Sequence, residues 1–466
     1  MRTLAHLRTF VWMSLLCAPL SATDPLWSNR YNGPANESDS GSAAVVVGDA
    51  LFVAGSTIVA DPGGTYSGRA FLARHDLATG VRQWTTFYGS DAYPDGSKDC
   101  TKLLAAPGGD LLVGCGSGYE HFALLRVSAE GTVLWARLRP SHGAIPSLGP
   151  IAVDPDGNAY IAGVGPGGIT SVAKFDAVGT LLDEWTYPGP GGASTAMAMV
   201  VDASGFVYLA GGTGLTGSGT EASVAKLGPG GAVVWERSFG GTGGFTYNWF
   251  ESMALASNWL VAAGTRNTNA PEGTAALAVA LDLDGTTIWE GMHDGDFERH
   301  DAFARIQPLA DGGAVAVGNT QVEPIDTDAL VARFDGAGNE LWSFRVPGAA
   351  GLLQTFRDVA VGPDGDIVAA GYDETANFVA RYLVVRLDRD GALVDTGYYP
   401  GPLGGGSRAT AVALDAAGNA YVTGDSAGSG TQLDVATVRW DNPRVVFCDG
   451  FESGDAASWI VVPPLP

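Results

Sequence analysis

The chain has 466 residues, with 50 Asp and Glu against 26 Lys and Arg, and a formal net charge of −24. Such a surface repels nucleic acid and anionic lipid, and lysine occurs only at Lys98, Lys102, Lys174 and Lys226, so no basic patch is on offer to either partner. Sixty-seven glycines and only 16% charged residues fit many short strands and tight turns, while regularly spaced apolar positions exclude disorder.

Residues 1–22 read as a secretory signal: Arg2 and Arg8, an apolar stretch over 10–20, then Leu20-Ser21-Ala22 as the cleavage site. The apolar stretch is too short to span a bilayer, and Leu16 before Cys17 argues against a lipid anchor. Its removal takes the formal charge to −26, since Arg2 and Arg8 leave with it. The segment 26–31, with Trp27, is expected to be a strand standing alone, without a preceding turn.

From residue 43 onward the chain repeats itself, most cleanly over 151–187, IAVDPDGNAYIAGVGPGGITSVAKFDAVGTLLDEWTY. Its four apolar runs, 151–153, 159–164, 171–175 and 181–187, are divided by DPDGN, GPGG and DAVGT. Runs this short between Gly- and Pro-rich turns are strands, so each repeat is a four-stranded meander. The aromatic of the fourth run recurs as Trp27, Trp84, Trp135, Trp185, Trp235, Trp289 and Trp342, at intervals of 50 to 57 residues, with Asp395 in its place in the eighth such run, around Leu393. The second run repeats in step as ALFVAGS, DLLVGCG, NAYIAGV, FVYLAGG, WLVAAGT, GAVAVGN, DIVAAGY and NAYVTGD. This period is that of four-stranded propeller blades.

The first copy carries an insertion, IVADPGGTYSG, between its second and third strands. The second holds Cys100 and Cys115 on strands joined by a turn near Pro107; folding about that turn opposes 105 to 110 and 100 to 115, which predicts a cross-strand disulfide. The last copy, 409–440, supplies three strands and stops, while Trp27 marks a fourth strand with no first three. The two ends complete one another. The expectation is an all-β, single eight-bladed β-propeller over 25–442, closed by its N-terminal strand, with seven blades as the alternative count, and a separate tail at 446–466. Each marker Trp is expected to wedge one blade against the next.

Turns between strands one and two and between three and four stay short, whereas the second-to-third loops and blade connections vary. The two sets emerge on opposite faces, so recognition is expected on the variable one. Three clusters there are candidates. Asp91, Tyr93 and Asp95 in YGSDAYPDGSKD, and Tyr247 and Trp249 in FTYNWF, place aromatic faces beside polar groups, as clefts for saccharide or peptide do, although Trp249 and Phe250 at the entry to a strand also suit a core. His293, Asp294, Asp296, Glu298, His300 and Asp301 offer imidazole and carboxylate to a divalent cation, with a solvated acidic loop as the plain alternative. The DxDG stretches at Asp154 and Asp282 read as turns. No GxSxG, HExxH, CxxC or phosphate loop occurs.

AVALDAAGNAYVTGD at 411–425 and SFGGTGG at 238–244 resemble the bacterial SBBP propeller repeat, GPDGDIVAAGYD at 362–373 the delta-60 repeat of secreted proteins, and ARHDLATGVRQW at 73–84 the PQQ-like repeat. These resemblances imply a propeller and no shared catalytic motif. The terminal stretch DGFESGD followed by Trp459 resembles a tail on secreted proteins of Gram-negative bacteria, either a processing or display signal or an ordered segment packed on the ring. The reading is a monomeric, non-catalytic propeller, secreted or periplasmic or displayed on the cell surface of a Gram-negative bacterium. It binds a protein, glycan or envelope component through its variable face. The alternative is an enzyme, a polysaccharide hydrolase or lyase or a quinoprotein-like dehydrogenase, the latter weakened by the lack of adjacent cysteines.

Overall fold

A computed structural model describes residues 23–60, 66–89, 98–117, 121–140, 149–214, 219–240, 246–268, 273–295, 300–323, 326–348, 351–375, 379–428, 430, 432–443, 447–448 and 460–461. Residues 1–22, read above as a secretory signal, and most of the tail lie outside these; within the tail, Phe447–Cys448 pairs antiparallel with Ile460–Val461. No helix among the described residues is long and apolar enough to cross a membrane.

Eight antiparallel four-stranded blades form a ring, and the protein is an eight-bladed β-propeller. Seven blades are continuous in sequence; the eighth takes Ser407–Leu414, Ala420–Ala427 and Leu433–Trp440 from the C-terminal end and Trp27–Tyr31 from the start. Register there runs from Trp27 opposite Arg439 to Tyr31 opposite Val435. Arg30 fixes the seam, donating to Asp434 at 2.7 Å and to the Ser426 carbonyl at 3.0 Å. Blade 4 carries one extra piece, Thr246–Tyr247, parallel to Gly219 and Thr220. The insertion of blade 1 is not a free loop: second and third strands lengthen into it as Ala50–Ala60 and Tyr66–Asp76, paired out to Ala60 opposite Tyr66.

Blade joints follow one pattern. The Trp of a fourth strand lies beneath the positive-φ glycine of the next blade's third-to-fourth turn: Trp27 under Gly80, Trp135 under Gly179, Trp185 under Gly231, Trp235 under Gly285. At Gly231, φ +81 is cheap only for glycine, and an added Cβ would enter the Trp185 ring, so one residue type serves both turn and joint. Four of these indoles also donate to the neighbouring blade: Trp27 to Leu77 O, Trp135 to Ala177 O, Trp235 to Leu283 O and Trp289 to Gly312 O. Between blades 7 and 8 the covalent turn is missing, because the third strand of blade 8 is Leu433–Trp440 and its fourth is Trp27–Tyr31. Asp395 stands where the Trp would be and accepts a hydrogen bond from Thr23 at 2.6 Å.

On the uniform face the short turns are held by their own carboxylates. Asp154, Asp202 and Asp415 each accept from the tyrosine six residues on, Tyr160, Tyr208 and Tyr421, at 2.9 to 3.0 Å. Asp282 spends one oxygen on the backbone N–H groups of Asp284 and Thr286. These are turn-forming contacts.

Cys100 and Cys115 are directly opposed and joined by a disulfide. The register between them and the turn differs from the simple hairpin: Ala105 faces Leu111, and a β-bulge at Thr101 restores the pairing of 100 with 115. The same bulge interrupts the first strand of seven blades, with Ser42, Thr101, Met197, Glu251, Ala304, Arg357 and Thr410 as the extra residues. First strands are innermost, so the bulges shape the central channel.

Candidate functional site

The channel is lined by the first strands of all eight blades, from Ser42 and Lys102 round to Asp358 and Ala411. At one end it widens off-centre into a cavity of about 600 Å³ bounded by blades 5 to 8. Its walls are the beginnings of the first strands Trp249–Leu255, Ala302–Pro308, Gln354–Val361 and Ser407–Leu414, and the ends of the second strands beside them. The cavity therefore opens on the face where second-to-third loops and blade connections emerge.

Two sequence positions build it. One is the bulge and its neighbours, contributing Glu251, Arg305, Arg357 and Arg408. The other is the residue after the second-strand glycine, contributing Thr265, Asn319, Tyr372 and Asp425. That glycine is needed: at Gly371 a Cβ would overlap the Thr355 carbonyl of the adjacent first strand. The blade can thus bring its first strand close and aim the next residue into the mouth.

Arg357 and Arg408, from blades 7 and 8, lie over the same Tyr372 ring, their guanidinium carbons 5.7 and 5.2 Å from its centroid. Arg408 also stands 3.4 Å from Glu374. Deeper, Arg305 faces Asp358 at 3.4 Å, and Asp358 accepts from the Val412 N–H at 2.9 Å. Burial raises the Asp358 carboxyl, with Arg305 opposing that rise. Burial, reinforced by Arg305, pushes the Lys102 ammonium down to about 8. A protein of net charge −24 thus gathers Lys102, Arg305, Arg357 and Arg408 along one channel, interleaved with Glu251, Asp358 and Asp425.

Of the sequence candidates, Trp249 lines the cavity and is 37% exposed, while its neighbour Phe250 is fully buried against Phe239. The core reading thus fits Phe250 and fails for Trp249. Tyr247 sits in the short added strand of blade 4. Asp91, Tyr93 and Asp95 lie outside the described residues, as do Asp296 and Glu298. His293 is turned to the next blade, 2.9 Å from Glu340. Asp294 is exposed. His300 is an exposed residue at φ 48 whose carbonyl accepts from Asn319. Asp301 is buried, accepting from the Gly295 and Gln321 N–H groups at 2.7 and 2.9 Å, and its carboxyl is raised by that burial. It latches the blade connection, as Asp39 does with Gly33 and Thr57 in blade 1. Among the described residues no group of three His, Cys, Asp or Glu is arranged to hold a metal ion.

No protein-family model and no curated protein sequence matches the chain. Among solved structures it is similar to the Dos1 propeller, with TM-score 0.58 and 11% identity over 89% of this chain and 95% of that one. A protein of unknown function from Dyadobacter fermentans is similar over 90% of this chain and 98% of its own, with TM-score 0.42 and 12% identity. Identity this low speaks for the fold alone.

Proposed function

We propose that this is an exported, monomeric, non-catalytic binding propeller of the SBBP and delta-60 repeat type, which takes a glycan, protein or envelope ligand at the variable-face mouth of its channel. The observation that carries the reading is the cavity itself: it lies within the roughly 300–1,000 Å³ usual for ligand sites, opens among the variable loops, and presents an exposed Trp249. The repeat assignment is supported by the Asp-to-Tyr bond of the DxxGxxY turns, which gives that motif a structural task. Export is supported by residues 1–22 and by the disulfide, a bond that persists in oxidising compartments.

Labelled protein applied to arrays of envelope glycans and peptides tests the binding claim. Trp249→Ala should weaken the strongest signal at least tenfold; a signal unmoved by that change and abolished by changes on the opposite face would place recognition elsewhere. N-terminal sequencing of protein recovered from its host tests export, with residue 23 expected first and Met1 as the contrary result.

A further inference from the structure

We propose that the ligand accepted at the channel mouth is an acidic saccharide, its carboxylate held by Arg357 and Arg408 and its ring against Trp249. This deepens the binding reading above and rests on it.

Two guanidinium groups from adjacent blades lie over one tyrosine ring, and among the described residues they are held by those two ring contacts and a 3.4 Å approach from Glu374 to Arg408. Both arginines are exposed to the cavity. Like charges gathered around one ring repel, and an anion between them relieves the repulsion while accepting paired N–H bonds from the planar forks. Behind them Arg305 and Lys102 continue down the channel, with Asp358 3.4 Å from Arg305. In so acidic a chain this local reversal of charge draws anions to one place on the surface.

The rest of the wall selects among anions. Glu251 and Asp425 line the same cavity, so a doubly charged phosphate monoester meets repulsion that a single carboxylate largely escapes. Those carboxylates, with Thr265 and Asn319, are acceptors and donors for hydroxyl groups. Trp249, 37% exposed on the opposite side, supplies the flat apolar surface on which a pyranose face packs. A volume of about 600 Å³ holds a short oligosaccharide end better than a single ion.

Calorimetry with trigalacturonate, galactotriose and inorganic phosphate, on wild-type protein and variants whose melting is first shown to be native, tests the proposal. Trigalacturonate should bind at least tenfold more tightly than either other probe, more weakly as salt rises. Arg357→Gln with Arg408→Gln should cost at least tenfold, and the paired lysine variant should recover part of it. Binding of galactotriose within twofold of trigalacturonate would overturn the acidic preference while leaving a glycan site in the mouth. Phosphate binding as tightly as trigalacturonate, and unaffected by Trp249→Ala, would overturn the saccharide. No binding of trigalacturonate, with an array ligand still dependent on Trp249, would overturn this inference and spare the binding function. An array signal that ignores Trp249 would remove both.

Discussion

Replacing Trp185 by alanine is the sharpest probe of how the ring is held. The side chain is 9% exposed, packed among Tyr160, Val172, Met199 and Leu209 at the joint of blades 3 and 4. Burying an aromatic of roughly 150–250 Å² at about 25 cal/mol per Å² gives an upper bound of roughly 4–6 kcal/mol. The gap would not readily close, because the turn above it is pinned by the Gly231 N–H to Gly228 carbonyl bond at 2.8 Å. A loss of about 3–5 kcal/mol is therefore expected in urea unfolding followed by fluorescence and circular dichroism. A matched pair isolates packing from hydrogen bonding. The Trp185 indole N–H has no hydrogen-bond partner among the described residues, whereas that of Trp235 donates to Leu283 O at 3.0 Å. Trp235→Phe should cost about 1–2 kcal/mol more than Trp185→Phe, the net worth of a hydrogen bond plus relief of a buried unpaired donor. A Trp185→Ala loss below about 1 kcal/mol, or equal costs for the two phenylalanines, would refute this account of the joint.

Three further outcomes are expected. Deleting residues 23–32 removes the closing strand with Trp27 and Arg30, and should lower the melting temperature of the whole ring; an unchanged scanning-calorimetry trace would contradict closure at that seam. Changing Cys100 and Cys115 together to serine should cost on the order of 3 kcal/mol, as for a loop of about 15 residues, read from urea midpoints with and without reductant. Buried His75, its Nδ1–H 3.3 Å from the Gly80 carbonyl, is pushed down to about 4 from 6.5 by burial. The unfolded chain binds that proton first, so stability falls as pH drops from 6.5 towards 4, by up to roughly 3 kcal/mol, and His75→Gln should flatten this part of the profile.

The ring was legible because it is redundant: eight second-strand runs in register and a lone Trp27 leave little room for another topology. The disulfide was legible from hairpin folding, although the agreement of 100 with 115 depends on a bulge at Thr101 that no residue type announces. The mouth was largely missed, since Glu251, Arg305, Tyr372, Arg357 and Arg408 lie on four blades and converge only when the ring closes. One signal was present in the quoted runs. The residue after the second-strand glycine, whose place Cys115 takes in blade 2, is Ser56, Gly116, Val164 and Gly212 in the first four blades, and Thr265, Asn319, Tyr372 and Asp425 in the last four. That change from small to functionalised side chains marks the half of the channel that opens into the cavity. Of the histidine and acidic loop after Met292, His293 pairs with Glu340 and Asp301 with backbone, while Asp296 and Glu298 lie outside the described residues.

The pairing of Trp27 with Arg439 sets a timetable as well as a shape. The ribosome makes that ribbon before any other strand of the propeller, and its partner is the last strand of the propeller to be made. Throughout synthesis the early segment has nothing to zip against, and seven finished blades wait with a gap on one side. Completion therefore waits for the last blade and is nearly all-or-none, and a message cut short of that blade yields no smaller working ring, only an arc with two sticky flanks.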